Sequence, residues 1–171
     1  AAAEPAHGQP AATITPAAAL KRLQEGNQRF VAAKLQHPHQ DEARRVALAG
    51  GQAPFAIVLA CADSRSAPEL LFDQGLGDLF VLRVAGNVLN DDILGSIEYA
   101  VDHLHSPLIV VLGHERCGAV KAARDTIAAK GEAPGHIQSL VKAIAPAVAS
   151  TVGEDAEATN LANIRQVIAA L

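Results

Sequence analysis

The 171-residue chain has no methionine, no tryptophan, one tyrosine and four phenylalanines, although half of its residues are apolar. The core must therefore be packed from alanine, leucine, valine and isoleucine, a composition that suits a sheet covered by helices. No uninterrupted apolar stretch approaches the ~20 residues that cross a bilayer, so we expect no membrane partner. The net charge of −4 comes without a basic stripe, which argues against nucleic acid as a partner.

Cysteine is nearly absent as well. The two cysteines, Cys61 and Cys117, follow apolar runs at 55–60 and 108–113 that we interpret as strands. His114 stands three residues before Cys117, a spacing that places both on one face of a turn entering a helix. In an α/β sheet, ligands collect at the carboxyl ends of parallel strands. The two thiolates and the imidazole are therefore candidates for one metal site, with a disulfide as the alternative.

A carboxylate and a guanidinium accompany the first cysteine. Cys61 and Asp63 are two residues apart, so in extended backbone their side chains point to the same side. Arg65, two residues further on, can pair with Asp63 through two hydrogen bonds. Gly118, directly after the second cysteine, keeps the backbone beside a metal uncrowded. These residue types predict a tetrahedral zinc site with the ligands Cys61, Asp63, His114 and Cys117.

From residue 55 onward, strand-like and helix-like segments alternate. The predicted strands are 55–61, 79–84 and 107–113, and the predicted helices are 16–34, 41–49, 67–74, 91–103, 117–130, 136–149 and 154–171. This alternation predicts an α/β fold with a central, mainly parallel β-sheet flanked by helices and an N-terminal helical arm. We expect residues 1–14 to be a mobile arm and residues 15–171 to form one domain.

The motifs together resemble those of the β-class carbonic anhydrases. The pattern Cys-x-Asp-x-Arg at 61–65, followed by His-x-x-Cys-Gly at 114–118, is typical of that family. The stretch 61–87, which includes Arg-Val-Ala-Gly-Asn at its end, resembles the family almost throughout, and so does 96–101. The resemblance implies one zinc ion per chain and reversible hydration of carbon dioxide to bicarbonate and a proton through a zinc-bound hydroxide.

The resemblance also implies roles for the residues around the zinc. Cys61, His114 and Cys117 would be permanent ligands. Asp63 would either occupy the fourth position, which closes the site, or turn away and pair with Arg65, which opens it. In the open state Asp63 would orient the hydroxide toward carbon dioxide, and Arg65 would keep Asp63 ionised.

The same resemblance assigns a substrate pocket. Gln52 would hydrogen bond the substrate, Gly118 would border the pocket, and Phe80 and Tyr99 would line it. In this family such aromatic residues come from the neighbouring subunit, so the resemblance implies a homodimer or a larger homo-oligomer. Taken alone, Gln52 would be an ordinary loop amide and the two aromatic residues would be core residues.

Three further expectations concern subtype, location and the length of the C-terminal part. Members inhibited by bicarbonate carry tryptophan and glycine where this chain has Val58 and Ala60, so we expect the unregulated subtype with an open site. The Ala-rich start without methionine resembles the end left by signal cleavage, which suggests a periplasmic or otherwise exported protein, with the cytoplasm as the alternative. Only 54 residues follow Cys117, which is short for the family.

Two other functions remain open at this level. A relative that hydrolyses carbon disulfide or carbonyl sulfide could use the same metal hydroxide. A non-catalytic subunit could use a closed, four-ligand zinc only to stabilise its fold, although a structural site would have no need of Arg65 as a competing partner for Asp63.

Overall fold

The computed structural model describes residues 14–171. Apart from Ile14, the arm predicted at 1–14 lies outside these residues. The strands are β1 (Ala56–Ala60), β2 (Leu79–Arg83) and β3 (Ile109–Leu112). The helices are α1 (Pro16–Val31), α2 (Glu42–Ala47), α3 (Pro68–Leu71), α4 (Asp91–Asp102), α5 (Gly118–Ala128), α6 (Ile137–Ser150) and α7 (Ala156–Ala170). None of the helices in this part of the chain is long and apolar enough to cross a membrane.

The three strands form one sheet in the order β2-β1-β3. Just beyond the ends of β1 and β2, the Val84 N–H donates to the Ala60 carbonyl at 3.1 Å, and the Ala62 N–H donates to the Val84 carbonyl at 3.3 Å. Val84 thus bonds to two residues of the adjacent segment that are two positions apart, Ala60 and Ala62. This is the hydrogen-bond pattern of a parallel pair. All five residues of β1 are buried, as expected for a central strand covered on both faces. The predicted α/β fold is confirmed.

Two helices end three residues earlier than predicted. The helix expected at 67–74 covers only Pro68–Leu71, because Asp73 adopts a left-handed backbone conformation with φ 46°. The helix expected at 16–34 ends at Val31, and Ala33 adopts a left-handed conformation with φ 53°. Residues with positive φ cannot continue a right-handed helix.

The described chain divides into two compact units, and the single domain expected for 15–171 stays a prediction. The first unit comprises residues 14–58, Ala67–Val81 and Gly95–Val110. Its core contains Ala19 and Leu23 of α1, packed with Phe55 and Ala56 at the start of β1.

A buried carboxylate, Asp73, ties the end of α1 to the end of α3 in this unit. Arg29 donates from Nε to Asp73 at 2.6 Å, and the backbone N–H groups of Gln36 and His37 donate to the same carboxylate at 3.0 Å each. Burial disfavours the charged form, but Arg29 and the two N–H groups outweigh burial and hold the pKa of Asp73 below its usual range.

The second unit comprises Leu59–Ser66, Leu82–Leu94 and Val111–Leu171, and it contains the carboxyl ends of all three strands. Helices α5, α6 and α7 pack on one another there. Its buried cluster is formed by Cys61, Val88, Cys117, Val120, Ala123, Val141 and Ile144. Both cysteines are therefore part of a packed core.

Candidate metal centre

Cys61 is the first residue after β1, and its side chain is buried. Its sulfur accepts a hydrogen bond from the Gly86 N–H at 3.3 Å and another from the Asp63 N–H. Arg83 at the end of β2 donates from Nε to the Cys61 carbonyl at 2.9 Å and from Nη2 to the Asp63 carbonyl at 2.5 Å. Arg83 thus binds two carbonyls of this segment, and the Cys61 sulfur accepts two backbone hydrogen bonds.

The second pair of candidate ligands follows β3. His114 lies two residues beyond that strand, and Cys117 is the residue directly before α5. The Cys117 sulfur accepts hydrogen bonds from the Ala119 and Val120 N–H groups in the first turn of that helix. The N-terminus of a helix favours negative charge, so this position suits a thiolate.

Three ligand atoms converge in this unit. The sulfur atoms of Cys61 and Cys117 are 4.0 Å apart, and these sulfurs and a ring nitrogen of His114 all lie within 4.8 Å of one another. Both cysteines are free, which removes the disulfide alternative. Among residues 14–171, His114 Nε2 is buried without a hydrogen-bond partner. Its Nδ1 lies 3.0 Å from the Glu115 carbonyl, which only accepts, so Nδ1 carries the proton and Nε2 a lone pair.

The two sulfurs titrate as a pair. The hydrogen bond from Cys117, helped by the N–H groups of Asp63 and Gly86, lowers the pKa of the Cys61 thiol to about 4 against the effect of burial. The neighbouring Cys61 sulfur, together with burial, raises the pKa of Cys117. One proton therefore leaves readily and the second is retained, because two negative charges would meet in a buried space. A divalent cation removes that repulsion, so the donor set fits zinc.

Asp63 is turned toward Arg65. Arg65 donates from Nε to Oδ1 at 2.9 Å and from Nη2 to Oδ2 at 2.8 Å, and its backbone N–H donates to Oδ1 at 3.0 Å. This bidentate ion pair holds the pKa of Asp63 well below its usual range. Asp63 Oδ2 lies 3.8 Å from His114 Nε2. The carboxylate thus stays ionised beside the three converging ligand atoms without joining them.

Of the other predicted site residues, three belong to the first unit and one to the second. Gln52, Phe80 and Tyr99 belong to the first unit, where Gln52 is exposed and the rings of Phe80 and Tyr99 have centroids 6.4 Å apart. Gly118 is the first residue of α5, and a Cβ added there would have nothing within 4 Å.

Three residues that hold the centre are not among the predicted site residues. Arg83 and Gly86 stand in the Arg-Val-Ala-Gly-Asn stretch, so the resemblance contained a signal for them. Glu157 accepts the Arg116 N–H at 2.8 Å from 41 residues away, and no local pattern points to it.

The fold and the centre define a class: an α/β protein with a Cys-His-Cys group beside an Asp–Arg pair. The family model described as carbonic anhydrase matches residues 56–171, more than half of the chain. The chain therefore belongs to the carbonic anhydrase family. Its structure is similar to that of the β-carbonic anhydrase CcaA, with a TM-score of 0.68 and 28% identity over 88% of this chain and 78% of that one. The β class inferred from the motifs is confirmed.

Two curated relatives have higher sequence identity. Carbonic anhydrase 2 of Mycobacterium tuberculosis is 54% identical over 133 residues, which are 78% of this chain and 64% of the relative. The carbonic anhydrase of Mycolicibacterium smegmatis is 52% identical over 134 residues, which are 78% of this chain and 65% of the relative. The chain thus spans just under two-thirds of the length of these relatives.

Proposed function

We propose that this chain is a zinc-dependent carbonic anhydrase that interconverts carbon dioxide with bicarbonate and a proton. One zinc ion per chain would be held by Cys61, His114 and Cys117. The observation that carries this proposal is the convergence of these three ligand atoms beside a carboxylate that is paired away from them. Three protein ligands leave one coordination position for water or substrate, as in catalytic zinc sites.

Each part of the centre has a task in this reaction. A bound zinc ion would lower the pKa of water to about 7 and so supply a nucleophile at neutral pH. Arg65 keeps Asp63 ionised and directed away from the sulfurs. Asp63 Oδ2 can then accept a hydrogen bond from the attacking oxygen, which turns a lone pair of that oxygen toward the carbon of carbon dioxide. The proton released leaves to solvent.

Stopped-flow hydration of carbon dioxide with a pH indicator tests the proposal. We expect the zinc-loaded chain to catalyse hydration and the chelator-stripped chain to lose the activity until zinc is returned. A zinc-loaded chain without activity would instead support the non-catalytic subunit. Faster turnover of carbon disulfide or carbonyl sulfide than of carbon dioxide would support the other enzyme.

Metal analysis tests the ligand set separately. Cys117→Ser and His114→Ala should lose most of their zinc, measured by atomic absorption after gel filtration. His136→Ala is the matched control, because this histidine precedes α6 and is exposed. Full zinc content in Cys117→Ser or His114→Ala would remove that residue from the ligand set.

We also propose that the enzyme belongs to the unregulated subtype. Val58 and Ala60 are completely buried in β1, and neither offers the ring or the glycine of the bicarbonate-inhibited members. The hydration rate should therefore rise through a single transition with pH, and bicarbonate should act only as product. Measurement of rate against pH, with and without bicarbonate at constant ionic strength, tests this; a cooperative loss that deepens with bicarbonate contradicts it.

A homodimer or larger homo-oligomer would complete the site. By family resemblance Phe80 and Tyr99 face the metal of the neighbouring subunit, with Gln52 and Gly118 beside the substrate. The partial exposure of Tyr99 supports this arrangement. Sedimentation velocity should give a mass of at least two chains, and a monomer that is fully active contradicts it. Export to the periplasm stays a prediction.

A further inference from the structure

Helix α7 contacts the chain segment that carries His114 and Cys117, and it contacts the loop at Gly86 that hydrogen bonds the Cys61 sulfur. All of these contacts lie in the second unit, and none involves a ligand side chain directly. They come from three residues of α7: Glu157, Asn163 and Ile164.

Asn163 reaches the loop that supplies a hydrogen bond to Cys61. Its side chain is 1% exposed, and Nδ2 donates to the Gly86 carbonyl at 2.8 Å. The amide nitrogen must face this carbonyl, because a carbonyl oxygen can only accept. The Gly86 N–H in turn donates to the Cys61 sulfur at 3.3 Å. The two bonds lie on either side of the Gly86 Cα, so Asn163 anchors the residue whose N–H donates to the Cys61 sulfur.

Gly86 has no side chain through which its loop could be positioned. Its φ is 71°, and an added Cβ would lie 2.8 Å from Ile144 Cδ1 and 3.3 Å from Ala119 Cβ. Glycine is therefore required, both for the left-handed conformation and for the close packing. The loop depends on hydrogen bonds to its backbone, and Asn163 provides a buried one.

Glu157 holds the segment between the other two ligands. Arg116 lies between His114 and Cys117 with a left-handed φ of 55°, which is unfavourable for a residue with a side chain. The Glu157 carboxylate accepts the Arg116 N–H at 2.8 Å. The Arg116 carbonyl accepts from Arg65 Nη2 at 3.3 Å, so this residue also contacts the partner of Asp63.

Ile164 packs against the residue before His114. A Cβ added to Gly113 would lie 2.3 Å from Ile164 Cδ1, so the isoleucine occupies the space that a side chain would need. Three contacts from one helix thus reach the surroundings of Cys61, His114 and Cys117.

We propose that Asn163 and Glu157 are positioning residues of the metal centre: Asn163 directs the Gly86 N–H to the Cys61 sulfur, and Glu157 holds the peptide between His114 and Cys117. This inference rests on the proposed zinc site. Hydrogen bonds to the ligands and their supports fix ligand orientation, and their loss typically lowers metal affinity by about 10- to 100-fold.

The test compares matched variants of α7 in the full chain. Asn163→Ala removes the bond to the Gly86 carbonyl. Gln166→Ala is its control, because Gln166 Nε2 donates at 2.9 Å to the Ala143 carbonyl in α6, away from the ligand segments. Both variants lose one amide–carbonyl hydrogen bond from the same helix. Zinc affinity is measured by competition with a chromophoric chelator, and the sulfur-to-cobalt charge-transfer band is recorded after loading with Co²⁺.

Glu157 is itself exposed and supplies a second pair of variants, although its Oε2 also accepts from Nδ2 of the buried Asn160 at 2.8 Å. Glu157→Ala removes the acceptor for the Arg116 N–H, whereas Glu157→Gln retains an acceptor oxygen and should restore affinity. Glu154→Ala, another exposed acid just before α7, is the control for lost charge. If Asn163→Ala does not fold, as judged by circular dichroism, the Glu157 variants decide the question alone.

The inference is supported if Asn163→Ala and Glu157→Ala weaken zinc binding by about tenfold or more and shift the cobalt band, while Gln166→Ala, Glu154→Ala and Glu157→Gln resemble the wild type. It is overturned if the first two variants bind zinc like their controls and leave the band unchanged. A wild-type chain that binds neither metal would overturn the proposed function itself, which separates the two failures.

Discussion

At the scale of single residues, the centre contains two kinds of negatively charged group, the paired cysteine sulfurs and the Asp63 carboxylate. The paired sulfurs retain one proton because their negative charges repel, and a metal ion is the natural replacement for it. Asp63 is a third anionic group close by, at 3.8 Å from His114 Nε2. Arg65 forms an ion pair with this carboxylate. Asp63 can therefore still accept a hydrogen bond without competing for the metal.

Replacing the Asp63 carboxylate tests whether turnover can be lost while metal binding is retained. Asp63→Asn should retain zinc, because Cys61, His114 and Cys117 remain. Its hydration rate should fall by about 10²-fold or more, since the anionic acceptor for the attacking oxygen is lost. Zinc content and stopped-flow rates are measured on the same sample.

The control for this substitution is Asp125→Asn on α5. Asp125 is paired with Lys121 on the surface, where both side chains are exposed, so its loss should leave rate and zinc content unchanged. A near wild-type rate for Asp63→Asn would show that the carboxylate does not orient the nucleophile.

At the scale of elements, buried polar contacts join helices in addition to the apolar core. Asp73 joins the end of α1, the turn after it and the end of α3 through one carboxylate with three donors. Arg29 is the donor that can be removed without changing the backbone.

Arg29→Ala should lower the free energy of unfolding by about 2 kcal/mol at pH 7, because the buried Asp73 carboxylate loses its charged hydrogen-bond donor. Urea unfolding followed by circular dichroism measures this. Lys21→Ala on the same helix is the control: its pair with Glu25 is exposed, and its loss should cost less than about 0.5 kcal/mol. Equal effects of the two variants would contradict a special role for the buried carboxylate.

The same anchor predicts a pH dependence. The folded-state pKa of Asp73 lies below its unfolded value, so its stabilising effect is complete above the unfolded pKa of about 3.9 and is lost as pH falls through the folded value. The stability difference between wild type and Arg29→Ala should therefore shrink in urea unfolding at about pH 3 compared with pH 7. A difference that grows toward low pH would show that Asp73 does not favour its charged form in the folded chain.

At the scale of the whole molecule, the ligands join segments far apart in the chain. Cys61 and Cys117 are 56 residues apart and belong to the buried cluster of the second unit. A metal ion held between them would stabilise the folded chain, because the unfolded chain has no such site.

Removal of the metal should therefore lower the melting temperature. The stabilisation is about 2.7 kcal/mol when free zinc is 100 times its Kd, and it rises further with zinc concentration. Thermal unfolding is compared for stripped protein, zinc-loaded protein and stripped protein with excess magnesium. Magnesium should not restore stability, since it prefers oxygen ligands. An unchanged melting temperature after stripping would argue against a structural contribution of the metal.

Much of the fold follows from local sequence. Strand and helix alternate as the apolar periodicity predicts, and Thr15 caps α1 by accepting the Ala18 N–H at 3.2 Å. The predicted helix at 67–74 was too long, because the apolar pattern continues past Leu71 while Asp73 takes a left-handed conformation. That conformation accompanies a buried carboxylate whose partners, Arg29 and Gln36, come from more than 30 residues away.

The local sequence by itself determined the ligand types and their spacing, since Cys61, Asp63 and Arg65 lie within one strand end and His114 and Cys117 within one turn. Only the tertiary structure decided that the two cysteines are free beside a lone-pair nitrogen and that Asp63 faces Arg65. It also decided the supports from α7, where Asn163 meets Gly86 across 77 residues of sequence. Spacing along a strand or turn is set by local geometry, whereas hydrogen bonds between distant segments exist only once packing has brought those segments together.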